Sequence, residues 1–401
     1  MIRSARRADP EAAIGFPPGA SPRPHLELVN NGLYVKREHF IPFSGEARAG
    51  EKRRVLHLLP YTYFDPDYYY LGSCKDHDGR QQFLRQSGVP FDTFAHLKNR
   101  QTFETEFSFF PPLPDYTHII VDMSLGLKEL SFLRRRWPRA KLIVRSHNPE
   151  IMHRIDYLIA LRRFGGKEER RIAGRKFLAY CAREIGVARI ADAILHIETA
   201  NTGIYWRALG FFGRVLVAPY FLSDPYLNSI PANVRRRNQV LCLSSSHPGP
   251  LIFDMLANFH AAVLGLKDRL PDFEFLATAD APKALAGRIA PRVRHLGFVD
   301  DIMRLQAESF AVIVPSDLGR GFKTKILDAV ICGAWVIVPP GLMRRMPEAL
   351  KPYCAVMSMR KPGAGLEQAI GELKARKWPG GDPNATLRTE AYRSLDQAIL
   401  R

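Results

Sequence analysis

Residues 310–339 (FAVIVPSDLGRGFKTKILDAVICGAWVIVP) put two glycines, an arginine, two lysines and an acid within ten positions, Gly319 to Asp328. The pattern predicts a buried strand ending at Pro315, a loop containing Gly319 and Gly321, and a helix opening near Phe322. After Gly333 comes a second buried strand. Glycines let a backbone approach a ligand closely, and a helix start offers unpaired N–H groups at its positive dipole end. The expected chemistry is anion binding. On the helix, Phe322, Ile326, Ala329 and Val330 share the face that packs on a sheet, while Lys325 and Asp328, three apart, share another. That pair is either an exposed ion pair or a working one, the lysine meeting a diphosphate and the acid a ribose.

The elements that must hold this loop repeat along the chain. Short apolar runs at Val55–Leu59, His118–Val121, Leu142–Val144, Ala193–Ile197 and Val215–Ala218 alternate with helical spacing. Residues 221–238 interrupt the rhythm and read as a linker. It restarts at Val240–Leu243, Phe273–Leu276, Val293–Phe298, Phe310–Val314, Trp335–Val338 and Cys354–Met357. Buried strands alternating with helices indicate parallel sheets. The expected fold is α/β, two doubly wound Rossmann-like domains facing each other across a cleft, where ligands bind at the carboxyl ends of strands. The expected boundaries are 1–52 for an N-terminal extension, 53–225 and 226–380 for the domains, and 381–401 for a C-terminal helix. Leu387, Ala391, Leu395 and Ile399 give that helix an i, i+4 apolar stripe.

Composition narrows the partners. The 401 residues carry 58 Lys+Arg against 40 Asp+Glu, a net +18, which favours an anionic partner. Five scattered cysteines with no C-x-x-C exclude a disulfide scaffold and a cysteine-rich zinc site, and suit a reducing compartment. The N-terminus lacks the apolar core of a secretory signal. The longest uncharged stretches, 238–253 and 329–343, are broken by Pro and Gly and are not expected to span a bilayer. A cytoplasmic location is expected, the protein being either soluble or peripheral at the inner membrane face.

Residues 310–339 resemble the nucleotide-sugar-binding motif of GT-B glycosyltransferases of family four (glycosyl transferases group 1). The resemblance extends to LGFVDD (296–301), where the family's backbone contacts the base, here at Phe298 and Val299. LCLSSSHPGP (241–250) occupies the first phosphate-facing loop, with Ser245 and Ser246. VRSHNPE (144–150) is similar to the family's strand-end H-N-x-E, and ADAILHIE (191–198) to the strand that follows. The family often has two acids eight positions apart. Here Asp328 takes the second position and Arg320 the first, and Gly321, Lys323 and Lys325 resemble a subset with a Gly-x-Lys-x-Lys loop. An arginine cannot accept from a sugar hydroxyl but pairs with phosphate.

The resemblance implies transfer of a sugar from a nucleotide diphosphate sugar to a hydroxyl of a glycan or lipid-linked acceptor. Retention of configuration, no metal and no further cofactor are also implied. His147, Lys325 and Arg320 are then the expected catalytic residues, and Gly319, Gly321, Phe322, Lys325, Asp328, Ser245, Ser246, Phe298 and Val299 the expected nucleotide-sugar site. An epimerase of the same architecture needs more acids in the cleft than this chain offers. A non-catalytic basic binding protein is the other alternative; no nucleic-acid module is recognisable, and no nucleic-acid partner is expected.

Two D-x-D tripeptides, at 65–67 and 76–78, have the form of a metal pair, but neither directly follows a buried strand. Tyr61, Tyr63, Tyr68, Tyr69 and Tyr70 suit either sugar faces or packing. Between 134 and 176 fourteen Arg and Lys face four acids. This segment reads either as a solvated helical face or as a dock for an anionic membrane surface.

Overall fold

The computed structural model describes residues 27–29, 32–34, 40–60, 72–96, 113–123, 125–198, 202–244, 249–278, 280–281 and 283–401. β1 (Glu27–Val29) and β2 (Gly32–Tyr34) pair antiparallel. β3 (Phe40–Ile41), β4 (Val55–Pro60), α1 (Gly72–Ser87), β5 (Phe91–His96) and β6 (His118–Asp122) follow. Next come α2 (Leu127–Arg136), β7 (Lys141–Ser146), α3 (Glu150–Phe164) and α4 (Lys167–Ile190). β8 (Ala193–His196), α5 (Thr202–Ala208) and β9 (Arg214–Val217) complete the first unit. Its seven-stranded sheet runs β3-β5-β4-β6-β7-β8-β9, parallel except for β3. Leu142, Ile143 and Val144 of β7 are at most 1% exposed, as expected of a strand covered on both faces.

After α6 (Asp224–Asn228), the second unit holds β10 (Arg237–Cys242), α7 (Pro250–Leu266), β11 (Glu274–Ala277) and β12 (Val293–His295). It continues with α8 (Ile302–Glu308), β13 (Ser309–Ile313), α9 (Thr324–Ile331), β14 (Trp335–Val338) and α10 (Pro340–Arg345). β15 (Cys354–Val356), α11 (Pro362–Ala375) and α12 (Pro383–Ile399) end the chain. Its six strands run parallel in the order β12-β11-β10-β13-β14-β15. The order reverses between β10 and β13, so the loops leaving those two strands diverge and open a crevice. The first sheet has the same reversal between β4 and β6.

The fold is the expected pair of Rossmann-like domains, and each apolar run foreseen as a strand forms one. Four local readings change. The segment before residue 53 is not only an extension, because β3 lies within it and pairs with β5; a two-residue edge strand leaves no periodic signal. β5 was not foreseen because its interior carries Asp92, which is fully buried yet satisfied by the Phe43 amide, Arg54 and the Tyr116 hydroxyl. The stretch 221–238 is partly core, with Phe221, Leu222 and Ser223 buried. The glycine-loop helix starts at Thr324, two residues after Phe322.

The foreseen stripe of α12 is buried, with Leu387, Ala391, Leu395 and Ile399 at most 1% exposed. The helix returns to the first unit: Lys141 Nζ donates to the Ala398 carbonyl at 3.0 Å. At its start the buried Asn384 side chain accepts from the Leu222 amide at 2.7 Å and donates to the Leu222 carbonyl at 3.0 Å. Asn384→Ala leaves both backbone groups unpaired, at about 1–3 kcal/mol each. A drop in unfolding free energy of about 2–5 kcal/mol is expected in guanidinium titrations, and a loss below about 0.5 kcal/mol would remove this clasp from the account.

Candidate functional site

The glycine loop sits where the second sheet reverses its strand order, pressed against the first domain. Gly319 and Gly321 have φ of +79° and +97°, conformations that side chains rarely adopt. A Cβ on Gly321 would lie 1.7 Å from Asn148 Oδ1 and 2.9 Å from the His147 carbonyl. The VRSHNPE turn after β7 therefore requires glycine opposite it. The same turn ends in α3, whose buried Asp156 accepts from the Gly319 amide at 3.0 Å. His153 Nδ1 meets the Arg320 carbonyl at 3.2 Å. His147, Gly319, Arg320 and Gly321 are thus brought together.

Lys325 reaches across the crevice, its Nζ donating to the Leu243 carbonyl at the end of β10 at 2.6 Å. Burial lowers its pKa. Ser245 and Ser246, two residues further along that loop, lie outside the described residues. Asp328 is buried and engaged: Lys75 Nζ from α1 lies 2.6 Å from one oxygen, and the Tyr220 hydroxyl donates to the other at 3.0 Å. It pairs with a lysine of the first domain, not with Lys325. Phe322 packs its ring 5.7 Å from that of Tyr220. Arg320 Nε is 3.5 Å from Asp156 Oδ2. Phe298, 67% exposed, and half-buried Val299 follow the Gly297 turn at the same carboxyl end of the sheet, past β12.

Three members of the site, Glu198, Lys323 and Asp76, stand in motifs the sequence shows but are not among the expected site residues. Glu198, 5% exposed, closes the ADAILHIE segment near the Gly321 amide; burial raises its pKa against the pull of Arg345, Gly321, Arg320 and Lys323. Lys323 lies beside Gly319, and burial, helped by Lys325 and Arg345, pushes it down to about 8. Asp76 is held by Arg80, Arg145 and His147. Its D-x-D tripeptide therefore spends its first acid on arginines, while Asp65, Asp67 and the tyrosines at 61–70 lie outside the described residues. Among the described residues, no three His, Cys, Asp or Glu are grouped to hold a metal ion. The i, i+4 spacing of Asp76 and Arg80, within a helix that buries ten residues despite its polar sequence, is the signal that could have exposed this centre.

The arrangement presents two glycine amides, a helix start, two half-buried lysines and two arginines to one crevice, with histidines opposite. Residues 239–355 match the family model described as glycosyl transferases group 1. No curated protein matches the sequence. Among solved structures, the E. coli trehalose-6-phosphate structure bound with UDP-2-fluoro glucose shares 10% identity over 86% of this chain and 96% of that one, with a TM-score of 0.52. Sucrose-phosphate synthase from Thermosynechococcus elongatus shares 12% over 87% and 95%, at 0.49. HepE from Anabaena in complex with UDP and glucose shares 14% over 86% and 95%, at 0.47. At such identities the likeness is one of fold, the GT-B architecture. The family match lies within the second domain.

The lowered lysine gives a pH test. Lys323 is charged below about 8 and neutral above it, and a bound anion raises its pKa. Affinity for a nucleoside diphosphate, fully ionised above neutral pH, is expected to fall as pH rises through 8, by up to about tenfold per unit. Titration calorimetry of Lys323→Met should show a flatter dependence. An identical slope in the variant removes Lys323 from the anion site.

Proposed function

We propose that the chain transfers a sugar from a nucleoside diphosphate sugar to a hydroxyl of a glycan or lipid-linked acceptor, with retention and without a metal. The observation that carries this reading is the glycine loop at the strand-order reversal, its half-buried lysines beside it and the turn that carries His147 packed against it from the first domain. Leaving-group charge develops on the diphosphate, so catalysis consists largely of holding that charge and placing the acceptor. The α9 start, Lys325, Lys323 and Arg320 take the first task. Asp328, oriented by Lys75 and Tyr220, keeps lone pairs for ribose hydroxyls, since a carboxylate offers about four acceptor sites. Phe298 and Val299 take the base side. His147 meets the donor sugar or acceptor. The charges that neutralise the diphosphate are protein groups, which supports a metal-free reaction.

The acceptor's source follows from surface chemistry. On α3 and α4, Ile155, Ile159, Ile172 and Leu178 are 36–69% exposed. They lie among exposed Arg162, Arg170, Arg171, Arg175 and Lys176. Exposed aliphatics framed by cations suit docking on an anionic membrane surface, where a lipid-linked acceptor lies. No helix of the described residues is long and apolar enough to cross a membrane.

Two experiments test the reading. Lys325→Ala is expected to weaken nucleoside diphosphate binding about 10- to 150-fold, a charge-assisted hydrogen bond of about 1.5–3 kcal/mol, and to leave free nucleoside binding unchanged. Unaltered diphosphate affinity in the folded variant sinks the donor-site assignment. For the surface, vesicles containing anionic lipid should retain the protein and release it as salt rises, because surface charge is screened within about 10 Å at 0.1 M. Leu178→Asp should weaken retention. Equal binding to neutral and anionic vesicles, or none, removes the membrane from the account.

A further inference from the structure

Behind His147 lies a polar centre that anion binding does not use. Asp76 is 5% exposed. Arg145 donates to both its oxygens, through Nε to Oδ2 at 3.0 Å and through Nη2 to Oδ1; Arg80 Nη1 and His147 Nε2, the latter at 3.2 Å, also contact Oδ2. The arginines are themselves pinned. Arg145, 2% exposed, also donates to the Ala218 carbonyl at 2.6 Å. Arg80, 3% exposed, donates to Asp122 at 2.8 Å and to His57 Nε2 at 3.3 Å. The carboxylate cannot turn away from the imidazole without breaking contacts that reach three strands. The turn is fixed from the other side as well, Ser146 Oγ donating to the Asn148 carbonyl at 3.0 Å and meeting His196 Nδ1 at 3.0 Å.

We propose that Asp76 is a positioning residue for His147: it accepts from Nε2–H and so leaves Nδ1 as the acceptor nitrogen for a sugar hydroxyl. The proposal rests on the reading of His147 as the group that meets donor or acceptor. The hydrogen bond on one ring nitrogen sets the chemistry of the other. Burial raises the Asp76 pKa, but Arg145 and Arg80 outweigh it and hold the carboxyl well below its ordinary value, so it stays an acceptor throughout the neutral range. A purely structural Asp76 needs its two arginines and has no need of the ring. The 3.2 Å contact is what links the buried centre to the cleft.

The direct test is 15N NMR of histidine in the folded wild-type chain, with the His147 signal identified by its loss in His147→Gln. An Nε2–H tautomer is expected for the neutral ring. An Nδ1–H tautomer overturns the proposal and leaves the glycosyltransferase reading intact; that reading's assignment of His147 fails instead if His147→Gln transfers sugar at the full rate. This reading of the wild type decides the matter whether or not the next variant folds. In turnover, Asp76→Asn is expected to lower kcat about 10- to 150-fold, the ratio one charge-assisted hydrogen bond is worth, with the donor KM changed less than about threefold. A folded Asp76→Asn with wild-type kcat also overturns it.

Discussion

The fold of the first domain turns on one buried carboxylate. Asp76 sits in α1 where the carboxyl ends of β4, β6 and β7 converge, and its two guanidinium partners carry its hold to all three strands and to the chain beyond β9. Desolvating three charges is expensive, and apolar packing of the same volume is often at least as stable. What the ion cluster adds is geometry: guanidinium forks accept few arrangements of their acceptors. Removing one partner from such a cluster typically costs about 3–5 kcal/mol because the remaining charges stay buried. α1 is thereby fixed against the sheet, and everything it carries is fixed with it.

That placement sets the seam between the domains. One residue before Asp76, α1 delivers Lys75 to Asp328 on α9. Gly72, at the start of α1, lies so close to Thr324 that a Cβ there would be 2.2 Å from the threonine hydroxyl. The starts of α1 and α9 therefore face each other across the crevice. The seam around the glycine loop is polar, with Asp156 on the Gly319 amide, Glu198 near the Gly321 amide and His153 on the Arg320 carbonyl. First-domain carboxylates stand on amides that an anion would use, and hydrogen bonds of this kind exchange for others at little net cost. Further out the join is apolar: Tyr392 of α12 packs its ring 5.1 Å from Phe83 and 5.5 Å from Phe221.

Charge is divided across the cleft in an unusual sense. The second domain presents Arg320, and the acids facing it, Asp156 and Glu198, come from the first domain. Pairing Arg320 with Asp156 restrains a side chain that would otherwise meet solvent, and aligns it with the loop it belongs to. The cations of the glycine loop thus meet carboxylates supplied by the first domain.

The sequence alone determined the two sheets, because parallel strands covered on both faces must be continuous apolar runs whatever lies around them. It also determined the glycine loop, since φ values of +79° and +97° and a close-packed turn leave no alternative to glycine. His147 was legible for the same reason, as part of a turn at a strand end. The tertiary structure decided the partners of the charged groups. Lys325 and Asp328, three residues apart, looked like a pair; instead the lysine turns to Leu243 and the acid to Lys75, 253 positions away in sequence. Asp76 and Asp78 have the spacing of a metal pair, a reading the sequence already disfavours; what the fold adds is Arg145, 69 positions away, on the first. Spacing fixes which side chains share a face of one helix. Which charge a buried side chain meets depends on what the fold brings against that face, and desolvation makes that meeting decisive only once the chain has packed.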